Sequence, residues 1–238
     1  MSTSFPATTD FGAQNLLCCR SNTGVPNTYA TNPVIHHNMT RDLPADIWYP
    51  HIPPQLARYN ISLSEFISAH PDYPYLVVGA LILRNNHQTD ETEILLLKRA
   101  STDFCPNVWE PPGGSVDAED ESILHAIVRE VWEETGLRIT GYGAGRVVRD
   151  NAGEEYHRRR SKEKEEEFTE VTFLGKRGEK WCKFNFLVEV QPDEIGELRV
   201  ELDEMEHQDV GWFDEDAVKR LPFVSEQGRE IVLNAMRS

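Results

Sequence analysis

The stretch from Pro112 to Leu137 most constrains how this chain folds, because it joins a glycine loop to a strongly patterned segment. Its apolar residues recur at the i, i+3, i+4 and i+7 positions of a helix: Leu124, Ile127, Val128 and Val131. This spacing predicts an amphipathic helix of about four turns with a buried apolar stripe. Asp120 is suited to cap a start near Glu121, and Gly136 suits the left-handed conformation just past the end.

A second face of this helix carries Glu130, Glu133 and Glu134. Residues three or four apart on a helix lie about 5–6 Å apart at Cβ, so these carboxylates repel one another unless a cation lies among them. Hard divalent cations with oxygen ligands are the usual solution in proteins. The sequence therefore predicts a magnesium or manganese site on this face.

The same residues resemble the signature of the Nudix hydrolases, G-x5-E-x7-R-E-U-x-E-E-x-G-U, where U is a bulky aliphatic residue. Glu121 is followed by seven residues and then by Arg129-Glu130-Val131-Trp132-Glu133-Glu134-Thr135-Gly136-Leu137. The preceding run Trp109-Glu110-Pro111-Pro112-Gly113-Gly114 resembles the family's usual lead-in. A solvated acidic surface helix is the alternative interpretation, but it does not account for so many residues at fixed offsets.

The chain departs from the signature at one point. Six residues, 115 to 120, separate Gly114 from Glu121, where the signature has five. Either the loop carries a one-residue insertion or Ser115 takes the glycine position. Because the extra residue precedes the helix, the spacing of the carboxylates is preserved.

The resemblance implies a metal site in which Glu130 and Glu134 bind Mg²⁺ (or Mn²⁺) and Glu133 completes the set. The backbone carbonyl of Gly114, or that of Gly113, is a further oxygen ligand in this interpretation. Such a site suits a substrate whose phosphates bring negative charge to the cleft.

Two residues are expected to support these ligands. The guanidinium of Arg129 is a fixed fork of donors that can orient the carboxylates, and Glu121 is an outer-shell partner or an additional ligand. For the base that takes a proton from water, a signature glutamate such as Glu133 or Glu130 is the first candidate and Glu206 is the second.

The substrate side of the site is assigned by the same resemblance. Arg99 ends a strand near the phosphate end of the cleft, and Trp109 and Glu110 in the lead-in complete the expected substrate contacts. The alternative for Arg99 is that it only caps the end of the strand, as many basic residues do. Glu206 belongs to the segment Glu201–Phe213, which resembles the family's E-H-x4-W segment. The competing interpretation is that Glu206 is an exposed loop carboxylate.

Strand patterns surround the signature helix. Residues 75–83 and 93–99 predict a hairpin, residues 138–148 a strand, a glycine-rich bend and a strand, and residues 170–174 and 180–190 two more strands. Serine or aspartate caps predict three helices, after Ser62, over Asp214–Arg220 and after Ser225. The resemblance implies an α/β fold, a Nudix-type α/β/α sandwich with a mixed β-sheet.

We expect a domain over residues 73–238, preceded by an irregular N-terminal arm with a short helix over residues 1–72. The arm is rich in Ser, Thr, Asn and Pro and shows no sustained period. The sequence leaves open whether it wraps the domain or mediates contacts in a homodimer.

The amino-acid composition restricts the kinds of partner that this chain is expected to bind. The chain has 40 acidic and 24 basic residues and a formal charge of −16, which disfavours nucleic acid and anionic membranes as partners. No apolar run approaches the roughly 18 residues of a membrane helix, and the N-terminus does not resemble a signal peptide. We therefore expect a soluble, cytoplasmic protein. The four cysteines show no metal-ligand spacing and are interpreted as free thiols.

The implied activity is hydrolysis of a diphosphate bond in a small molecule, a nucleoside diphosphate linked to another group. A prenyl diphosphate substrate is the alternative, because Trp181, Phe184 and Phe186 can form an apolar wall or a stacking surface, unless they are core. A non-catalytic binding module has no need of the intact signature. An isomerase would require a cysteine acid–base site, and Cys105 lies in no pattern typical of one. The cluster Arg158–Arg160 is either solvated or a contact to an anionic substrate.

Overall fold

A computed structural model describes residues 42–103, 105–147, 171–174 and 179–237 of the chain. These residues form a seven-stranded mixed sheet with helices on both faces, which confirms the predicted α/β/α sandwich. The strands are β1 Tyr75–Asn86, β2 Glu91–Arg99, β3 Trp109–Glu110, β4 Ile139–Val147, β5 Val171–Leu174, β6 Lys180–Val190 and β7 His207–Phe213. The helices are a 3-10 helix Pro54–Tyr59, α1 Leu63–Ala69, α2 Ile123–Thr135, α3 Glu215–Arg220 and α4 Glu226–Met236.

The sheet has the strand order β3-β2-β1-β6-β4, and β7 also pairs with β2 while β5 pairs with β6. The central strand β1 changes partner along its length. Its residues Tyr75–Ile82 run parallel to β6, and its residues Leu83–Asn86 pair antiparallel with β2 as the predicted hairpin.

The signature loop occupies the other edge of the first half of β1. Val78 and Ala80 donate backbone hydrogen bonds to the carbonyls of Gly114 and Pro112 at 2.9 and 2.7 Å, and Val116 donates to Leu76 at 2.9 Å. The loop is therefore held like an additional strand, which positions it before α2 begins.

Two apolar cores lie on opposite faces of the sheet. The predicted apolar stripe of α2 packs on one face of β1 and β6, where Phe184 and Phe186 lie, and these residues form the α2-side core. Helices α3 and α4 cover the other face, where Leu81 and Leu96 pack with Phe213 and Ile231. Because side chains alternate along a strand, consecutive residues of β1 and β6 contribute to different cores.

Local signals placed most helix ends correctly. Ser62 forms a complete capping box at α1, Asp214 and Ser225 cap α3 and α4, and Gly136 ends α2 with φ 67°. The predicted cap of α2 was wrong, since Ser122 rather than Asp120 precedes the first helical residue and accepts the backbone N–H of His125.

The expected strand–bend–strand over residues 138–148 is a single strand, β4. Its pairing with β6 shifts register between Ile139 and Gly141 and again between Tyr142 and Val147. Bulges of this kind absorb glycines without ending a strand.

The described part of the arm packs on the domain. Leu56, Tyr59 and Phe66 are at most 1% exposed in the α2-side core, and the backbone carbonyl of Asp42 accepts a hydrogen bond from Trp132 Nε1 at 2.9 Å. Residues 1–41 and the Arg158–Arg160 cluster lie outside the described residues. Within the described residues, no helix is long and apolar enough to cross a membrane.

The free-thiol interpretation holds for Cys182, which is buried. It was wrong for Cys105, which is disulfide-bonded.

Candidate active site

The signature loop touches the carboxylates of α2 through its two glycines. The backbone N–H of Gly113 donates a hydrogen bond to Glu134 Oε2 at 2.7 Å. Gly113 has φ 147°, and a Cβ there would lie 2.2 Å from the carbonyl oxygen of Val78. A Cβ on Gly114 would lie 2.6 Å from Glu130 Oε2. Only glycines allow the loop to pass between β1 and the helix this closely.

Arg129 ties together the carboxylates at the other side of the loop. Its Nη1 donates to Glu130 Oε1 and Glu133 Oε2, both at 2.9 Å. Its Nε and Nη2 bind the two oxygens of Asp120 at 2.9 Å, and Nη2 also donates to the carbonyl of Ser115 at 2.9 Å. The predicted orienting role of Arg129 matches this geometry.

The structure places Asp120, not Glu121, in the position expected of the outer-shell partner. The Glu121 side chain is 83% exposed and lies 3.4 Å from His125. A signal for this exchange was present in the sequence, because five residues separate Gly114 from Asp120. The additional residue of this chain therefore lies between Asp120 and Arg129 rather than in the loop.

Burial makes the carboxylate cluster electrostatically unfavourable by itself. Burial, together with the charges of Glu130 and Glu110, raises the pKa of Glu134 well above its usual value. Burial also raises the pKa of Glu130 to about 7, against the opposing charge of Arg129. Within the part of the chain that the structure describes, Arg129 donates no hydrogen bond to Glu134, so one guanidinium does not compensate the cluster.

Residues at the start of β7 complete the cluster. Glu134, Glu206 and His207 each offer a ligand atom within 4.8 Å of the others. Glu206 is exposed, which fits both of its interpretations, as a ligand and as a loop carboxylate, whereas His207 is buried. Its Nε2 lies 3.7 Å from Glu134 Oε1 and 3.8 Å from Glu110 Oε1. The sequence favours a hydrogen-bonded structural role for His207 over that of a general base.

These donors fit a divalent metal ion. Several carboxylates with incompletely compensated charge converge there, and oxygen ligands are those that Mg²⁺ and Mn²⁺ prefer. The carbonyl of Gly114, an expected ligand, already accepts a hydrogen bond from Val78 at 2.9 Å, so only its second lone pair is available.

Of the three residues assigned to substrate, Arg99 and Glu110 lie beside this cluster and Trp109 does not. Arg99 forms ion pairs with Glu110 and Asp103. Trp109 is 7% exposed and packs edge-on against Phe213 at a ring-centroid distance of 4.7 Å. Trp109 is therefore in the core, while Arg99 and Glu110 form a partly buried ion pair next to His207.

The glycine loop paired with the sheet, and the glutamates of one helix gathered around an arginine, are the arrangement that the signature motif implied for a Nudix hydrolase. A family model of the NUDIX domain matches residues 74–234, and the chain belongs to this family.

Two relatives and one solved structure illustrate the similarity. The m7GpppN-mRNA hydrolase NUDT17 of Bos taurus is 46% identical over 61 residues, 25% of this chain and 18% of that protein. An 8-oxo-dGTP diphosphatase of Buchnera aphidicola subsp. Schizaphis graminum is 30% identical over 77 residues, 32% of this chain and 53% of that protein. The MutT NUDIX hydrolase of Burkholderia pseudomallei is similar with a TM-score of 0.45 and 22% identity, over 67% of this chain and 96% of that chain.

Proposed function

We propose that this protein hydrolyses a diphosphate bond in a nucleoside-diphosphate-linked small molecule with the help of Mg²⁺ or Mn²⁺. The observation that carries the proposal is the hydrogen bond between Gly113 and Glu134, which brings the signature loop to the most buried carboxylate of the cluster. A phosphate that enters over the loop meets this cluster directly.

Glu130, Glu133, Glu134 and Glu206 would hold the metal ion. When bound, the ion neutralises phosphate charge and lowers the pKa of a coordinated water. Arg129 keeps Glu130 and Glu133 in fixed orientation, and Gly113 does the same for Glu134. Preorganised ligands of this kind reduce the reorganisation that the reaction requires.

Glu133 is the first candidate for the base that accepts the proton of water. Its side chain is 32% exposed, compared with 11% for Glu130 and 5% for Glu134, so among these three glutamates of α2 it is the one that water reaches most easily. Its hydrogen bond to Arg129 involves one carboxylate oxygen and leaves the other free of that contact. Glu206 is the second candidate, because it is exposed and adjacent to Glu134.

The names of the two relatives both describe nucleotide-containing substrates, which supports a nucleoside over a prenyl group on the diphosphate. The sequence matches cover about a fifth and about half of those proteins. The net charge of −16 favours a small substrate over a long nucleic acid.

The test is the formation of hydrolysis products, measured by mass spectrometry in Mg²⁺ or Mn²⁺, from a panel of nucleotide sugars, dinucleotides, nucleoside triphosphates, inositol pyrophosphates and prenyl diphosphates. We expect turnover of at least one nucleoside-linked class and a loss of about 100-fold or more in Glu134→Gln. Selective turnover of prenyl diphosphates would replace the nucleoside substrate. If wild type and Glu134→Gln are equally inert on the whole panel, the protein is a ligand-binding module.

A further inference from the structure

One part of the sheet face opposite α2 carries polar and aromatic side chains beside the signature loop. Phe184 and Phe186 of β6 belong to the α2-side core, so the alternation of the strand places Trp181, Lys183 and Asn185 on the opposite face. The expectation that Trp181 shares a surface with the two phenylalanines was therefore wrong.

Lys183 and Asn185 lie over Gly79 of β1. A Cβ on Gly79 would be 2.5 Å from Asn185 Oδ1, 3.0 Å from Lys183 Cε and 3.5 Å from Lys183 Nζ. Any other residue at position 79 would displace both side chains. Because Gly79 has no side chain, the side chain of Lys183 on β6 can extend across β1.

The crossing leads to the signature loop. A Cβ on Gly113 would lie 2.8 Å from the Cα of Gly79, so the loop and the two polar side chains meet at the same residue of β1. Gly113 is also the residue that binds Glu134. The amine of Lys183 is therefore near the carboxylate cluster but on the sheet side of the loop.

Lys183 retains charge for a ligand. Among the residues that the structure describes, it forms no ion pair within 4 Å. Its charge is nevertheless felt at Glu110, where burial would raise the pKa but the nearby His207, Lys183 and Arg99 lower it to about 2. Asn185 is only 3% exposed, and a polar side chain buried beside a lysine is suited to bind a phosphate oxygen.

An aromatic stack continues from this point along the same face. Tyr75 stacks on Trp181 at a centroid distance of 4.6 Å and an interplanar angle of 19°, and Phe173 lies 5.9 Å from Trp181 at 12°. Tyr75 is 45% exposed. Trp181 is two residues from Lys183 on β6, which is about 7 Å along a strand, a distance that a ribose can bridge.

We propose that Lys183 and Asn185 bind the phosphate attached to the nucleoside, and that the exposed ring of Tyr75, which is backed by Trp181, receives the nucleobase. The inference rests on the proposed hydrolysis of a nucleoside-linked diphosphate and names the part of the protein that selects for the nucleoside. Stacking on an aromatic side chain accepts any base, because every base has an aromatic face.

Binding to the full chain in Mg²⁺, measured by titration calorimetry, tests the subsite without turnover. The probes are adenosine 5′-monophosphate, guanosine 5′-monophosphate, ribose 5-phosphate and dimethylallyl phosphate. We expect both nucleotides to bind about 10-fold or more tightly than ribose 5-phosphate, and Tyr75→Leu to remove this difference. Equal binding of nucleotides and ribose 5-phosphate, or tighter binding of dimethylallyl phosphate, contradicts the proposal.

Variants of the lysine separate a binding role from a structural one. Lys183→Met should weaken nucleotide binding about 10-fold or more, since hydrogen bonds to charged groups are the strong ones, and Lys183→Arg should restore part of it. Gly79→Ala should weaken binding similarly, because the new methyl group displaces the side chains of Lys183 and Asn185 although both residues are retained. The matched control is Lys180→Met, on the same strand but directed to the Tyr73 side, where Nζ lies 5.9 Å from that ring. If Lys183→Met and Lys180→Met behave alike, the subsite is wrong.

The two proposals fail in different ways. Loss of turnover in Glu134→Gln together with wild-type behaviour of Lys183→Met keeps the hydrolase and removes the subsite. Weakened nucleotide binding in Lys183→Met, in a protein without turnover, keeps the subsite and removes the hydrolase.

Discussion

The backbone N–H of Gly113 donates a hydrogen bond of 2.7 Å to Glu134 across 21 residues of sequence. This contact joins the loop, which is paired with β1, to the last turn of α2. A carboxylate that accepts a backbone N–H is held in one orientation, and the contact lowers the pKa of Glu134 against the larger opposing effect of burial. The loop and the helix therefore act as one unit, and variants of either should affect the same site.

Gly114→Ala tests the close approach of loop and helix. The new Cβ would meet the Glu130 carboxylate at 2.6–2.7 Å, so we expect about a 10-fold or larger loss of metal-dependent turnover and a loss of about 1–3 kcal/mol in the free energy of unfolding. The control is Gly228→Ala in α4, whose nearest neighbour would be Ser225 Oγ at 3.4 Å. Equal activity of the two variants would show that the loop has room to move.

Asp120→Asn and Glu121→Gln form a matched pair at adjacent positions. Asp120 binds Arg129 through both carboxylate oxygens, whereas Glu121 is 83% exposed. We expect Asp120→Asn to lower kcat/KM about 10-fold or more and Glu121→Gln to change it by less than about threefold, because charge-assisted bidentate pairs are the strong ones. A larger loss of kcat/KM in Glu121→Gln than in Asp120→Asn would show that Glu121 is the outer-shell residue.

Removal of the metal ion should show the electrostatic cost of the cluster. We expect Mg²⁺ at about 100 times its Kd to stabilise the wild type by about 2.7 kcal/mol and to have little effect on Glu134→Gln. In EDTA, Glu134→Gln should be more stable than the wild type, because a buried carboxylate facing Glu130 is removed. Thermal unfolding with and without Mg²⁺ measures both effects. Glu194→Gln, at an exposed position, is the control.

Acid should weaken the contacts of Glu110 with His207, Lys183 and Arg99, which lower the pKa of Glu110 against the effect of burial. The folded-state pKa of Glu110 is about 2, below the ordinary 4.5, so this group contributes stability above pH 4.5 and loses it as the pH falls towards 2. The shift corresponds to at most about 3 kcal/mol. We therefore expect Glu110→Gln to be destabilised relative to wild type at pH 7 and to approach it at pH 3, as measured by urea unfolding. A difference that does not change with pH would show that packing, not charge, holds Glu110.

The sequence by itself determined the helix that carries Glu130, Glu133 and Glu134, because their spacing and the apolar stripe between them are properties of a helix of 3.6 residues per turn. It also determined the caps at Ser62 and Gly136, which depend on bonds between residues three or four apart. The family followed from the same local pattern.

Only the tertiary structure decided what surrounds that helix. Asp120 replaced Glu121 as the partner of Arg129 because the chain enters α2 one residue later than the signature count suggests. Lys183 and Asn185 came beside the loop because β6 pairs in parallel with β1 at Gly79, far away in sequence. Pairing between distant strands depends on the summed packing of both faces of the sheet, and a local pattern does not encode it.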